Sequence, residues 1–332
     1  MLWRTIGGKK VENAPKISVC IPVFNTESTL ARALNSVATQ DFTDYEIVLV
    51  NDASGGRDEK KRNCKKIAKS FKNIKYIEHR SNLGLLEARR TAVNSAEGKY
   101  ICILDSDDEL LPQSLSIMYN KAEQTGADIV HAGAEVIFAK AADGTSIVDS
   151  NTLEASALVY DGILTGNQII DGFLGKKNHN GFLWAKLINR ELYQKALDFI
   201  PFTNCVMAED FLQYFFISFF AKKYCGITTP VYRYYRTEGI SSIKEVSDLK
   251  KWEQICSTAN VFTTIFAALK TDFALTLEQT EYVKLMSRSY LLSTIRRWKS
   301  CVQDSIKEQA YELLCEYWGK DFVDFVESNC SV

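Results

Sequence analysis

The acidic run at residues 105–108 (DSDD) directly follows the apolar segment YICIL. Carboxylates this close repel one another unless a cation lies between them. Hard divalent ions such as Mg²⁺ or Mn²⁺ take carboxylate oxygens and leave coordination positions for phosphate and water. A solvated acidic turn before the next helix is the alternative interpretation. An EF-hand loop is excluded, because Leu110 and Ser116 stand where its glycine and glutamate are required.

Three other polar groupings could take part in such chemistry. Residues 51–52 (ND) follow another apolar segment, and could accept hydrogen bonds from a nucleobase or a ribose, or form an Asx-turn. Residues 209–210 (ED) precede the apolar run 211–221, where an acid could be a general base for an acceptor hydroxyl or simply be favoured by the helix dipole. The arginines and hydroxyls of 232–242 suit a lid that neutralises a pyrophosphate, or a solvated edge strand.

The segments that must position these groups alternate between β-rich runs and amphipathic helices. The predicted strands are Ile17–Val23, Tyr45–Val50, Ile74–Ile77 and Tyr100–Leu104. Asn25 or Thr26 is available as the N-cap of the first helix. This order predicts an α/β fold with a parallel sheet covered by helices on both faces. Ligands bind beyond the carboxyl ends of the strands in such sheets, where residues 51–52 and 105–108 fall.

Composition excludes several other classes of protein. Of 332 residues, 46% are hydrophobic and 24% charged, which are globular values, and 40 Lys+Arg against 41 Asp+Glu give no positive field for nucleic acid. The apolar run 211–221 is too short for a membrane span of about 20 residues, and the first ten residues lack the apolar core of a signal peptide. Nine scattered cysteines without a CxxC pair favour a reduced, cytoplasmic protein.

A series of motifs occurs in a fixed order along the chain. They read ISVCIPVFNTESTLARALNSVATQDF, EIVLVNDAS, NLGLLEARR, GKYICILDSDD, GFLWAKLINREL, AED and YRTEGISS. Together they resemble the family 2 glycosyltransferases of the GT-A fold. The resemblance implies a nucleotide-sugar-binding half at 16–138 after an N-terminal extension (1–15), an acceptor-binding half with base and lid at 139–245, and a helical C-terminal region at 246–332.

The resemblance implies a mostly parallel sheet flanked by helices with a C-terminal helical extension, and a role for each matching residue. Asp210 would be the catalytic base, and Asp107 would hold Mn²⁺ or Mg²⁺. The implied nucleotide-binding residues are Pro22, Phe24, Asn25, Glu27, Asp52, Asn82, Gly84, Arg89, Asp105, Ser106, Arg236 and Ser241. Trp184, Lys186 and Glu209 would lie on the acceptor side. Two positions depart from the family pattern: Arg90 replaces an amide near the donor, and Glu238 stands in the lid.

The implied reaction is metal-dependent, inverting transfer of a sugar from a nucleotide sugar, a UDP-sugar in the first instance, to a hydroxyl of a glycan or lipid-linked glycan in surface polysaccharide biosynthesis. A haloacid-dehalogenase-like phosphohydrolase built on Asp105 and Asp107 and a non-catalytic UDP-binding module are the alternatives. A nucleotidylyltransferase is disfavoured, because no Gly-rich loop follows the first strand. The C-terminal helices could cover the acceptor site, join copies of the chain, or contact a membrane surface peripherally.

Overall fold

The computed structural model describes residues 14–58, 60–139, 148–236, 245–270 and 274–329. Within these residues, nine strands form one sheet. The strands are β1 Ile17–Val23, β2 Tyr45–Asn51, β3 Ile74–Glu78, β4 Tyr100–Ile103, β5 Glu109–Leu110, β6 Ile129–Phe138, β7 Gly162–Thr165, β8 Lys186–Asn189 and β9 Lys223–Arg236. The four predicted strands are therefore confirmed, with their ends within one residue of the apolar segments.

The sheet has a parallel half and a mixed half. Its order is β3-β2-β1-β4-β8-β6-β9-β5, and β7 also pairs with β9. Strands β3, β2, β1 and β4 are mutually parallel, as predicted. Strand β8 then runs antiparallel to both β4 and β6, while β9 is parallel to β6. The carboxyl ends of β1, β2 and β4 therefore meet at one edge.

Helices cover both faces of this sheet. They are α1 Glu27–Ala38, α2 Cys64–Ala68, α3 Leu85–Ser95, α4 Ser114–Thr125, α5 Ser150–Ala157, α6 Asn167–Leu174, α7 Arg190–Asp198, α8 Glu209–Phe220, α9 Leu249–Cys256, α10 Ala259–Ala268, α11 Leu277–Cys301, α12 Lys307–Trp318 and α13 Lys320–Asn329. One core contains side chains of α1, α2 and α4, and the other those of α3 and α6 to α13. No helix in the described ranges is both long and apolar enough to cross a membrane.

The C-terminal helices share the second core with the sheet. Trp252 of α9 is fully buried, and its indole N–H donates to the carbonyl of Ala310 at 2.6 Å. The ring of Phe262 in α10 lies 5.8 Å from that of Phe211 in α8 and 5.9 Å from that of Trp318. Helices α8 to α12 are thus packed through one continuous set of apolar contacts.

Candidate active site

A cavity of about 470 Å³ lies at the carboxyl edge of the parallel half. Its volume falls within the usual range for small-molecule sites. Its lining includes Pro22, Val23, Phe24, Thr26, Asp52, Asn82, Gly84, Leu85, Ala88, Asp105, Ser106, Asp107, Asp108, Val206, Tyr234 and Gln254. The structure therefore brings the residues after β1, β2 and β4 to one pocket, where the strand order predicts them.

The loops after β1 and β2 are held together at one end of this pocket. The backbone N–H of Asn25, a residue with a φ of 57°, donates to Ser54 Oγ at 3.0 Å. The Asn25 side-chain oxygen accepts from the backbone N–H of Gly55, also at 3.0 Å. Phe24 is 48% exposed beside them. An exposed aromatic ring at the mouth of a pocket is available to stack on a planar ligand.

Asp52 is buried and organises the loop before α3. Its carboxylate accepts from the backbone N–H groups of Leu83 and Gly84, each at 2.9 Å, and lies 2.7 Å from His79 Nδ1. The Asn82 amide donates to the Asp52 carbonyl at 3.5 Å. Asp52 and Asn82 therefore shape one end of the cavity. The predicted contact of Asp52 with a base would add to bonds that its carboxylate already makes.

The acidic loop after β4 is held against α1 by hydrogen bonds. The Ser106 and Thr26 hydroxyls share a hydrogen bond of 2.6 Å, and the Thr29 hydroxyl donates to the Ser106 carbonyl at 3.0 Å. The Arg32 guanidinium donates to the carbonyl of Asp107. Thr26 is the N-cap residue of α1, but its side chain makes no capping bond because the hydroxyl is paired with Ser106. The prediction that Asn25 or Thr26 is the N-cap is therefore confirmed for Thr26, although its hydroxyl bonds to Ser106 and not to the first turn of the helix.

The carboxylates of this loop have different surroundings. Asp108 is buried and accepts from the Tyr232 hydroxyl and the Tyr235 backbone N–H, each at 2.8 Å. Burial, together with the nearby charge of Asp105, raises the pKa of Asp108 to about 8. Burial and Asp105 also raise the pKa of Asp107. Asp108 therefore joins the loop to β9, and Asp105 and Asp107 are left as the acids for a ligand.

Asp105 and Asp107 are the candidate ligands for the divalent ion that the sequence implies. No group of three or more His, Cys, Asp or Glu side chains that could hold an ion occurs in the parts of the chain described. Asp105 and Asp107 both line the cavity, and their mutual repulsion is what a cation would relieve. These residues fit an ion whose remaining ligands are water and diphosphate oxygens, as Mg²⁺ and Mn²⁺ commonly have.

Arg89 joins the acidic loop to the first turn of α8. Its side chain is 1% exposed, and its guanidinium lies 3.1 Å from Asp105 Oδ1, 3.4 Å from Glu209 Oε1 and in direct contact with Asp210. Burial raises the pKa of both Glu209 and Asp210, and the charge of Arg89 opposes that rise. Ala208, with a φ of 63°, turns the chain so that both acids enter this cluster.

Two residues implied to touch the nucleotide lie beneath the cavity instead. Arg89 is surrounded by carboxylates, so its support for a ligand would act through Asp105 and Asp210. Glu27 is 2% exposed, and its Oε1 has no hydrogen-bond partner among the described residues. Its position at the first turn of α1 explains how an acid is tolerated there, since the helix dipole favours negative charge.

The two acceptor-side positions between β7 and β9 are also buried. The Trp184 ring is 3% exposed and stacks on Tyr232 and Tyr234, with centroids 5.1 and 5.4 Å away. Lys186 is fully buried, and its Nζ donates to Asn180 Oδ1 at 2.9 Å and to the Phe182 carbonyl. Both are therefore packed beneath the surface and are not open to an acceptor.

The lid prediction is only partly covered by the described residues. Arg236 ends β9 and lies 3.6 Å from Asp149. Arg233 pairs with Glu135 at 3.1 Å, on the strand next to it. Ser241 and Glu238 lie outside the described residues. Arg90 is turned away from the cavity, since its guanidinium donates at 2.7 Å to carbonyls at the end of α7 and just after it.

Eight residues of the cavity lining are not among the site residues implied by the sequence: Val23, Thr26, Leu85, Ala88, Asp108, Val206, Tyr234 and Gln254. Asp108 belongs to the acidic run at 105–108. The repeated carboxylates of that run were a sequence signal that could have added Asp108 to the predicted site residues. Tyr234 faces the cavity from the alternating strand β9. Val206 and Gln254 carry no local signal, because only the packing of α9 beside the loop before α8 brings them to the pocket.

Comparisons with known proteins agree with this architecture. Glycosyltransferase GlyA of Streptococcus pneumoniae is 39% identical over 114 residues, which are 34% of this chain and 16% of GlyA. The chain spans half or less of the length of GlyA and of two further curated glycosyltransferases.

Two solved structures share the fold. The S. aureus TarS 1-349 structure in complex with UDP has a TM-score of 0.64 at 18% identity, covering 94% of this chain and 83% of that one. The mannosyltransferase PcManGT of Pyrobaculum calidifontis, in complex with GDP-Man and Mn²⁺, has a TM-score of 0.50 at 15% identity, with the same coverage of both chains. These likenesses confirm the predicted fold.

The family assignment rests on the sequence itself. The model of glycosyl transferase family 2 matches residues 18–215, which are more than half of the chain. This stretch contains the acidic loop after β4, the buried Arg89 and the two acids of α8. The chain therefore belongs to glycosyl transferase family 2.

Proposed function

We propose that this protein transfers a sugar, with inversion, from a UDP-sugar to a hydroxyl group of a glycan or lipid-linked glycan. The observation that carries the proposal is the Arg89 cluster, which joins Asp105 at the pocket to Asp210 on α8. A transferase of this kind needs stabilisation of a leaving diphosphate and a base for the attacking hydroxyl on opposite sides of one carbon atom. The cluster holds the candidate base, Asp210, and joins it to Asp105, which lines the pocket together with the candidate ion ligand Asp107.

The residues of the pocket and of the Arg89 cluster divide the work of the proposed reaction. Phe24 and Asp52 would hold the nucleobase, and Asp107 would hold the divalent ion. When bound, that ion would supply Lewis-acid stabilisation of the departing diphosphate. Asp210 would take the proton of the acceptor hydroxyl as the oxygen attacks the anomeric carbon. Burial raises the pKa of Asp210, which makes it a stronger proton acceptor than an exposed aspartate.

The two solved structures that share the fold guide the choice of ligands for a first test. UDP is bound in the TarS structure, and GDP-Man with Mn²⁺ in the mannosyltransferase. These ligands belong to those proteins, and they support UDP and Mn²⁺ as the first candidates here. A role in polysaccharide or glycoconjugate synthesis at the cytoplasmic side of a membrane is part of the same proposal.

Family membership favours the transferase over the phosphohydrolase alternative, because the matched stretch contains Asp105 and Asp107. A non-catalytic UDP-binding module would have the same pocket, so turnover separates it from an enzyme. The purified protein should release UDP from a UDP-sugar in the presence of Mn²⁺ and an acceptor. UDP binding without release from any donor would support the binding module instead.

The role of Asp210 can be tested with a matched pair of variants. Asp210→Asn should bind UDP as the wild type does and lose about 10²–10⁴-fold in turnover. Asp198→Asn changes an exposed aspartate at the end of α7 and should leave both properties unchanged. Full turnover by Asp210→Asn would remove Asp210 from the role of base.

A further inference from the structure

Helix α9 lies outside the stretch that the family model matches, yet it forms part of the cavity wall. Gln254 of α9 and Val206 line the cavity together with Asp105 and Asp107. Gln254 is half-buried, and its side-chain amide makes no hydrogen bond with any residue in the described ranges. A primary amide carries both donors and an acceptor. This amide is therefore free to bind a polar ligand in the cavity.

The contacts around Gln254 place it near the loop that leads to the proposed catalytic base, Asp210, and not near the residues proposed to hold the nucleobase. The Ser257 hydroxyl oxygen accepts from the backbone N–H groups of Val206 and Met207, at 3.1 and 3.4 Å. The Asn260 amide donates to the carbonyl of Asn204 at 2.6 Å. The loop that leads into Glu209 and Asp210 is thus held by α9 and the start of α10. Gln254 occupies the same end of the cavity as that loop.

The charges along the cavity indicate which kind of sugar fits there. The described lining contains four aspartates and no lysine, arginine or histidine. Arg89, the buried cation nearest the acids, is already in contact with three carboxylates. Apart from the divalent ion proposed for Asp107, which the diphosphate would occupy, an anionic sugar ring would meet negative charge without a lining cation to balance it. A neutral ring would instead present hydroxyl groups that an amide can both donate to and accept from.

Resting on the proposed transfer reaction, we propose that Gln254 is a specificity-determining residue that hydrogen-bonds the transferred sugar, and that this sugar is neutral. The transferred ring must lie between the diphosphate, near Asp105 and Asp107, and the acceptor hydroxyl, near Asp210. Val206, which lies four residues before Asp210 in the chain, and Gln254 both line this cavity. The apolar side chain would contact the ring, and the amide would select among epimers by the direction of a hydroxyl.

The test compares Gln254→Ala with Lys251→Ala, an exposed position on the same helix. Calorimetry with UDP and Mn²⁺ should give affinities within about twofold of wild type for both variants. Initial rates are then measured with the preferred donor, its ring epimer and a UDP-uronic acid. Gln254→Ala should lose about tenfold in kcat/KM for the preferred donor, the value expected for one hydrogen bond, and its preference over the epimer should narrow.

Gln254→Glu keeps the side-chain size and adds a negative charge, so it should lower kcat/KM for the preferred donor even if the alanine variant folds poorly. Unchanged kcat/KM and unchanged epimer preference in both Gln254 variants, with an active wild type, would overturn this inference and leave the proposed function standing. A wild-type preference for the uronic acid donor would also overturn it. Failure of the wild type to bind any nucleotide or release it from any donor would contradict the proposed function as well.

Discussion

Replacing Arg89 with methionine should both destabilise the protein and stop turnover. The side chain is 1% exposed, and its guanidinium contacts Asp105, Glu209 and Asp210. Methionine keeps much of the apolar stem of the side chain but leaves three half-buried acids without their buried cation. Removing one partner of a buried ion pair costs about 3–5 kcal/mol. Because domains are stable by only about 5–15 kcal/mol, the loss should be plain in a urea unfolding curve.

The same change should alter the pH dependence of the reaction. Arg89 opposes the rise that burial produces in the pKa of Asp210, so its loss should move that pKa further up. More of the base would then hold its proton at any given pH, and turnover should fall by about 10²-fold. Turnover should recover in part as the pH is raised, because the carboxyl group is then deprotonated again.

The assay needs two companion variants. Arg80→Met removes an exposed arginine and should unfold like the wild type. Arg89→Lys keeps one positive charge but cannot reach three carboxylates at once, so its stability should lie between those of wild type and Arg89→Met. An Arg89→Met protein that unfolds within about 1 kcal/mol of the wild type would refute the claim that these acids depend on one buried cation.

Three further outcomes are expected. Asp107→Asn should abolish the Mn²⁺ dependence of UDP affinity in calorimetry, and an unchanged dependence would exclude Asp107 as a ligand of the ion. Burial lowers the pKa of His179 to about 3, so the unfolded chain takes up a proton first as the pH falls below about 6.5, and stability declines there. This proton uptake should lower the free energy of unfolding of the wild type by about 1.2 kcal/mol between pH 7 and pH 5.5. In urea unfolding, the decrease over this range should be smaller by that amount in His179→Phe. An equal decrease in both proteins would contradict a neutral buried imidazole. Trp184→Ala should cost about 3–5 kcal/mol in the same assay, whereas a residue serving only the acceptor would leave unfolding unchanged.

The parallel half of the fold and the position of the pocket were predictable because they follow from local pattern. Strand β1 coincides with the apolar run Ile17–Val23, and all seven of its residues are buried. Parallel strands bury both faces, so they read as continuous apolar runs. Once the strands are placed, topology brings the residues that follow them to one edge. That is why Asp52 and the 105–108 run were found from the sequence.

The rest depends on contacts between distant parts of the chain. Strand β8 enters the sheet antiparallel between β4 and β6, and no local pattern states that pairing. The burial of Arg89 depends on Asp210, which lies 121 residues further along. Trp184 and Lys186 match a family motif, but a motif does not say whether a side chain is open to a ligand. Here aromatic stacking buries Trp184, and hydrogen bonds to buried partners occupy Lys186, so that neither side chain is open to a ligand.

The shared core of α8 and α9 has a consequence for engineering. Consider a chimera in which residues 18–215 of this protein are joined to the C-terminal helices of a relative. The loop before Glu209 would lose its hydrogen bonds to Ser257, and a different side chain would occupy the buried position of Trp252. Recombination intended to exchange sugar preference should therefore move residues 204–260 as one block. Crossovers inside that block would break both its hydrogen bonds and its apolar packing. Crossovers outside it would leave the cavity wall formed by Val206 and Gln254 unchanged.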